Sequence, residues 1–203
     1  RMISELSKAG VSIDRVFYIM DSELERDEAD AAEAPMDGDI CFEHVNFAYD
    51  NSPQMLHDIT FTMKAGSTLG ILGGTGSGKS TMMLLLDKLY PLAPEQGRIT
   101  IGGTDIRKIK TSHLRRNIGM VLQEPYLFSR TIAENIGIVS PQLDMEAVRS
   151  AARAAALDET VTSFAQGYET MVGERGVTLS GGQKQRGAIA RMLSQETPIM
   201  IFD

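Results

Sequence analysis

The chain has 203 residues, enough for one domain or a domain with a subdomain. A net charge of −7, with 42% hydrophobic and 23% charged residues, is ordinary for a globular protein. It argues against a nucleic-acid partner, which would need clustered Lys and Arg. The single cysteine, Cys41, permits no internal disulfide and fits a reducing setting, and no apolar run approaches the ~18 residues of a membrane helix.

Residues 1 to about 24 place Ile3, Leu6, Val11, Val16, Phe17, Ile19 and Met20 on one broad face and read as a helix. Two readings of it stand: an amphipathic helix docked on its own domain, or the end of a longer helix from another part of the protein. Residues 25–39 are acidic and alanine-rich, with Pro35 and Gly38 as punctuation, and read as a linker. A strand-rich block follows. Residues 40–47 partly alternate, 59–63 alternate cleanly, and Lys64-Ala65-Gly66-Ser67 reads as a turn. Cys41 falls in the first of these strands and reads as a buried, inert thiol. His44, His57 and His113 show no metal-ligand spacing and read as structural or surface residues.

Thr68 to Leu72 reads as a buried strand, and Thr81 to Leu89 as a helix. Between them runs Gly73-Gly74-Thr75-Gly76-Ser77-Gly78-Lys79-Ser80, which fits the phosphate-loop pattern G-x-x-x-x-G-K-[ST]. Strand, glycine loop and helix is the context that the chemistry requires. Loop amides and the positive helix end converge on a phosphate. Glycines let the backbone approach the oxygens, Lys79 offers a compact charge to the β- and γ-phosphates, and Ser80 offers a hydroxyl to Mg²⁺.

Arg98 to Ile101 reads as a strand ended by Gly102-Gly103, and Ile118 to Leu122 as a short core strand. From about 124 to 178 the pattern turns helical, clearest over 144–157 with Asp144 as N-cap. Gly182 to Gln195 reads as another helix, in which Gly187 costs ~1 kcal/mol against alanine. Residues 198–203 read as a buried strand ending in an acid. Leu179-Ser180-Gly181-Gly182-Gln183 opens the penultimate element, and its free amides and serine hydroxyl form a second anion-binding helix start. Read alone it is equally an ordinary N-cap.

Together the two motifs resemble the nucleotide-binding domain of an ATP-binding-cassette (ABC) transporter over residues 40–203. Gly73 to Ser80 resembles the Walker A loop, Leu179 to Gln183 the signature motif, and Ile199 to Asp203 the Walker B strand. Gln123 is similar to the Q-loop glutamine, and Tyr49 to the aromatic that stacks on adenine. Residues 170–176 and 127–136 resemble exporter-type stretches, and 1–24 the cytoplasmic end of the last transmembrane helix. The implied fold is α/β: a P-loop NTPase core of mostly parallel sheet flanked by helices, an antiparallel β subdomain, and an inserted helical subdomain over about 124–178.

The resemblance implies the following roles. Tyr49, Gly73 to Thr81 and Gln123 bind ATP, and Ser80, Gln123 and Asp203 hold Mg²⁺. Leu179, Ser180, Gly181, Gly182 and Gln183 close on ATP held by a second nucleotide-binding domain, identical or related. Glu174 is expected in the path to the transmembrane domain. The implied activity is ATP-driven export at the cytoplasmic face of the cell membrane, with the cargo set in the membrane domain. The family's catalytic glutamate, D-loop, switch histidine and at least two core strands are expected beyond Asp203. This stretch is therefore expected to bind ATP weakly and hydrolyse it negligibly. Two alternatives remain open: a soluble cassette that clamps nucleic acid, and a degenerate or non-transport cassette acting as an ATP-dependent dimerising regulator.

Overall fold

A computed structural model describes residues 2–22, 24–173 and 178–203. Helix α1 (Met2–Met20) is followed by β1 (Ile40–Ala48), β2 (Gln54–Met63), α2 (Lys79–Leu86), β3 (Arg98–Ile101), β4 (Thr104–Asp105), α3 (Thr111–Arg116) and β5 (Ile118–Val121). The remainder comprises α4 (Ile132–Ile136), α5 (Met145–Ala154), α6 (Asp158–Thr162), α7 (Gly181–Leu193) and β6 (Ile199–Phe202).

Two sheets result. One is antiparallel in the order β2-β1-β3-β4. Its register sets Phe42 opposite Phe61 on one side and Ile99 on the other, and the two phenyl rings stack with centroids 4.7 Å apart. The second pairs β5 with β6 in parallel, Ile118 against Ile199 and Val121 against Phe202. Parallel strands need a long crossover. Here the crossover is the whole helical block, α4 to α7.

Each region has its own core. Phe42, Val45, Leu56, Ile99 and Ile101 of the antiparallel sheet bury against Leu85 of α2, Leu114 of α3, and Ile118, Ile199 and Ile201 of the parallel pair. Ile132, Ile136, Val148, Ala152, Val161 and Tyr168 close a second core, which Leu179 and Ala190 complete. Asp144 caps α5, accepting from the amides of Glu146 (2.9 Å) and Ala147 (3.3 Å), as its side-chain chemistry favours.

Four features depart from the sequence expectations, the first being β6, expected to be buried but with Met200 and Phe202 exposed. Residues 68–72 form no strand; Leu69 is exposed and Leu72 is 97% exposed. A strand exists by pairing, and among the described residues no strand pairs with this segment. Helix α2 begins two residues earlier than expected and stops before Leu89, with Lys88 at φ 53 beyond its end. Cys41 is half-buried rather than buried, and its sulfur accepts from the Thr62 hydroxyl at 3.5 Å.

On α1, every side chain from Val11 to Met20 is exposed, including Ile13, Val16, Phe17 and Met20. The acidic segment after it is fastened along its length. Glu25 takes a two-pronged ion pair from Arg115 (2.8 and 2.6 Å). Asp27 accepts from the Thr111 amide (2.9 Å) and hydroxyl (2.6 Å) and from Lys88 (3.2 Å); these bonds, the Thr111 hydroxyl foremost, hold its carboxyl below the usual range. Ala32 pairs with Ile109, His113 donates to the Ala34 carbonyl (2.9 Å), and Met36 enters the core.

Candidate nucleotide-binding site

The glycine loop earns its composition at Gly78. This residue is the N-cap of α2 at φ 89, left-handed backbone that favours glycine, and a Cβ there would lie 2.4 Å from Leu56 Cδ2. No side chain caps this helix start. Its first amides are therefore available to an anion, and the helix dipole favours one. The Lys79 ammonium reaches back over the loop and donates to the carbonyls of Gly73 (2.8 Å) and Gly74 (2.9 Å), close to the Ser77 hydroxyl (3.5 Å). The Lys79 cation is thus held against exposed loop glycines by bonds to neutral carbonyls.

One residue on, the Ser80 hydroxyl donates to the Asp203 carboxylate at 2.7 Å, joining positions 123 apart in sequence. The parallel pair makes this possible. The β5 and β6 carboxyl ends lie on one edge, and the Asp203 amide donates to the Val121 carbonyl at 2.9 Å. Gln123 lies two residues past that carbonyl, exposed, on the same strand-end edge, where α/β sheets bind ligands. Ser80 and Asp203 are both exposed and supply a hydroxyl and a carboxylate, hard oxygen donors of the kind that suit Mg²⁺. Among the described residues no cluster of three or more His, Cys, Asp or Glu forms a protein-only cage.

Tyr49 follows β1 directly. Its hydroxyl lies 2.9 Å from Thr81 Oγ1 in the first turns of α2, so the two are brought together beside the loop. The signature residues stand apart from these. Leu179 is buried in the helical core, while Ser180, Gly181 and Gly182 are exposed at the start of α7. Ser180 and Gln183 form a reciprocal cap: Ser180 Oγ accepts from the Gln183 amide (3.3 Å), and Gln183 Oε1 accepts from the Ser180 amide (2.8 Å). Both readings of this motif are thus compatible with one geometry, since a capped helix start can still present its glycines outward. Glu174 lies outside the described residues, as do Arg175 and Gly176 of the exporter-like stretch.

A helix C-terminal to the signature is tied to the segment after Gln123 by two residues that sequence reading did not single out. Arg191 of α7 donates to the carbonyls of Asn135 (2.8 Å) and Tyr126 (3.0 Å) and to Asn135 Oδ1 (3.0 Å), and lies 5.5 Å over the Phe128 ring. Asn135, 2% exposed, donates to the carbonyls of Phe128 (2.9 Å) and Thr131 (3.0 Å) and accepts from the Phe128 amide (2.8 Å). A polar residue amid Ile132, Ala133 and Ile136 was the available signal, because a buried amide must find partners.

The family model described as ABC transporter matches residues 56–203, which carry the phosphate loop, the signature and Asp203. The chain belongs to the ABC transporter family. PaxB, an exotoxin translocation ATP-binding protein of Pasteurella aerogenes, is 39% identical to this ABC chain over 200 residues, covering 98% of it and 28% of PaxB. NdvA, a beta-(1→2)glucan export ATP-binding/permease protein of Brucella suis biovar 1, is 38% identical over 203 residues, covering 99% and 34%. A bacterial Atm1-family ABC exporter, solved with ATP bound, superposes with a TM-score of 0.87 at 37% identity, covering 97% of this ABC chain and 35% of the exporter. The ABC chain thus spans about a third or less of the length of these relatives.

Proposed function

We propose that this chain is the ATP-binding part of an exporter and that ATP binding and hydrolysis there drive substrate across a membrane. The observation that carries the reading is the Ser80–Asp203 hydrogen bond beside the uncapped start of α2. It places a hydroxyl, a carboxylate, free amides and the Lys79 ammonium at one strand-end edge. On binding, Lys79 exchanges its loop carbonyls for the β- and γ-phosphates, and Gly74 to Ser80 amides take phosphate oxygens. Thr81 supports the phosphates nearest the sugar, and Tyr49 offers its ring to adenine. Ser80 and Asp203, with Gln123 completing the set, would hold Mg²⁺, which neutralises developing phosphate charge. For that, the Ser80 proton now shared with Asp203 turns away so that both oxygens face the ion.

Leu179 to Gln183 would act on a nucleotide held by a second cassette, identical or related. Exposed Ser180, Gly181 and Gly182 favour this, since among the described residues, the glycines' own helix and chain neighbours aside, nothing lies within 4 Å of where a Cβ on either glycine would stand. ATP then joins two cassettes, and its hydrolysis separates them. In this reading the general base follows Asp203 directly. Met200 and Phe202 of β6 are exposed, which fits a further strand of a P-loop core beside them. Residues 1–24 lead to the transmembrane domain, Glu174 and the helical block over about 124–178 pass motion to it, and the cassette works at the cytoplasmic face. The reading as a degenerate or non-transport cassette is not favoured, because the relatives are named for export.

The test is Mg²⁺ dependence. Replacing Asp203 with Asn in the intact protein should remove the gain in ATP affinity that Mg²⁺ confers, while metal-free ATP binding persists. Unchanged Mg²⁺ dependence would refute the assignment.

A further inference from the structure

Tyr49 is held from three directions. Its hydroxyl is bonded to Thr81 Oγ1 at 2.9 Å. Phe47, two residues back along the chain, meets its ring edge-on, with centroids 5.1 Å apart and planes at 85°. Tyr90, from beyond the far end of α2, meets it edge-on as well, at 4.9 Å and 82°. Phe47 and Tyr90 lie 5.9 Å apart at 60°, so the three rings close a triangle. Phe47 and Thr81 are buried, Tyr49 is half-buried and Tyr90 is exposed.

A lone tyrosine at a strand end rotates about two side-chain bonds and loses that freedom on stacking. Edge-on ring pairs are favourable in their own right, because the positive rim of one ring meets the negative face of the other. Here those contacts fix the Tyr49 ring before any ligand arrives. Its hydroxyl also sets the ring's distance from the helix start that takes phosphate. Of the three partners, Tyr90 is the one that reaches Tyr49 from beyond α2 and is itself exposed. We propose that Tyr90 is a positioning residue for nucleobase recognition, holding Tyr49 in the attitude that receives the base of a nucleoside triphosphate. This rests on the reading of Tyr49 as the stacking platform.

The test compares two probes in the intact protein, ATP and inorganic tripolyphosphate, by titration calorimetry. Tripolyphosphate engages the phosphate loop without a base. Tyr90→Ala should weaken ATP about twofold to tenfold and leave tripolyphosphate unchanged. Tyr90→Phe should keep wild-type affinity for both, and adding Tyr90→Ala to Tyr49→Ala should cost nothing further. Where Tyr90→Ala fails to fold, Tyr90→Leu carries the same expectation. Equal weakening of both probes, or a neutral Tyr90→Ala beside a damaging Tyr49→Ala, would overturn the proposal alone. A neutral Tyr49→Ala beside a damaging Lys79→Ala would instead overturn the stacking reading, and this proposal with it.

Discussion

Asn135 is the residue whose loss should be felt most widely. Its carboxamide donates to Phe128 and Thr131 carbonyls, and its oxygen accepts from the Phe128 amide and the Arg191 guanidinium. At 2% exposure, water does not replace these partners. Each bond contributes about 1 kcal/mol net, and a buried donor left unpaired costs about 1–3 kcal/mol. Some of that is recovered as the loop relaxes, so Asn135→Ala should destabilise by about 3 kcal/mol. At about 2–4 °C per kcal/mol for a domain of this size, the melting temperature should fall by roughly 6–12 °C. Calorimetry measures it directly. Asn135→Leu preserves volume but not the bonds, and should do the same. Hydrogen exchange should show the Phe128 amide losing protection in both. A melting shift below about 2 °C, or an unchanged Phe128 amide, would refute the reasoning.

Burial pushes the Asp87 carboxyl up to about 6, with Arg115 opposing and Glu25 adding to the rise. The folded state therefore keeps a proton that the unfolded state has released. Stability from this group is complete below the ordinary carboxylate range and falls as pH rises through about 6. Asp87→Asn should consequently stabilise at pH 7 by on the order of 2–3 kcal/mol and lose that advantage near pH 4; a pH-independent difference between variant and wild type in thermal melts would contradict this. Gly187 lies inside α7, and a Cβ there would meet the Leu127 methyl groups at 3.6 Å, beside a void of about 10 Å³. Gly187→Ala should stabilise by about 0.5–1 kcal/mol in denaturant titrations, and destabilisation would show that the helix needs the closer approach.

Local chemistry was the legible part of this chain. Strand β3 has the bounds that alternation and Gly102 set, Asp144 caps α5, and α7 starts one residue from its expected position. These depend on neighbours in sequence. Residues 68–72 were not legible, because an apolar run reports a wish for burial and says nothing of the partner that provides it. Helix α3 hid because six mostly polar residues bury only Thr111 and Leu114. The fastening of the acidic segment depends on Glu25 meeting Arg115 ninety positions later, which no local pattern encodes. At the site, the loop and signature announced themselves by spacing. The contacts of Tyr90 with Tyr49 and of Asn135 with Arg191 did not, since each joins different elements.

In the proposed function the Lys79 ammonium grips the triphosphate. Titrating ATP into the intact protein and its Lys79→Ala variant tests this. The wild type should bind saturably and the variant should lose at least about tenfold in affinity, in keeping with the removal of a charge-assisted bond. Equal affinities would contradict it.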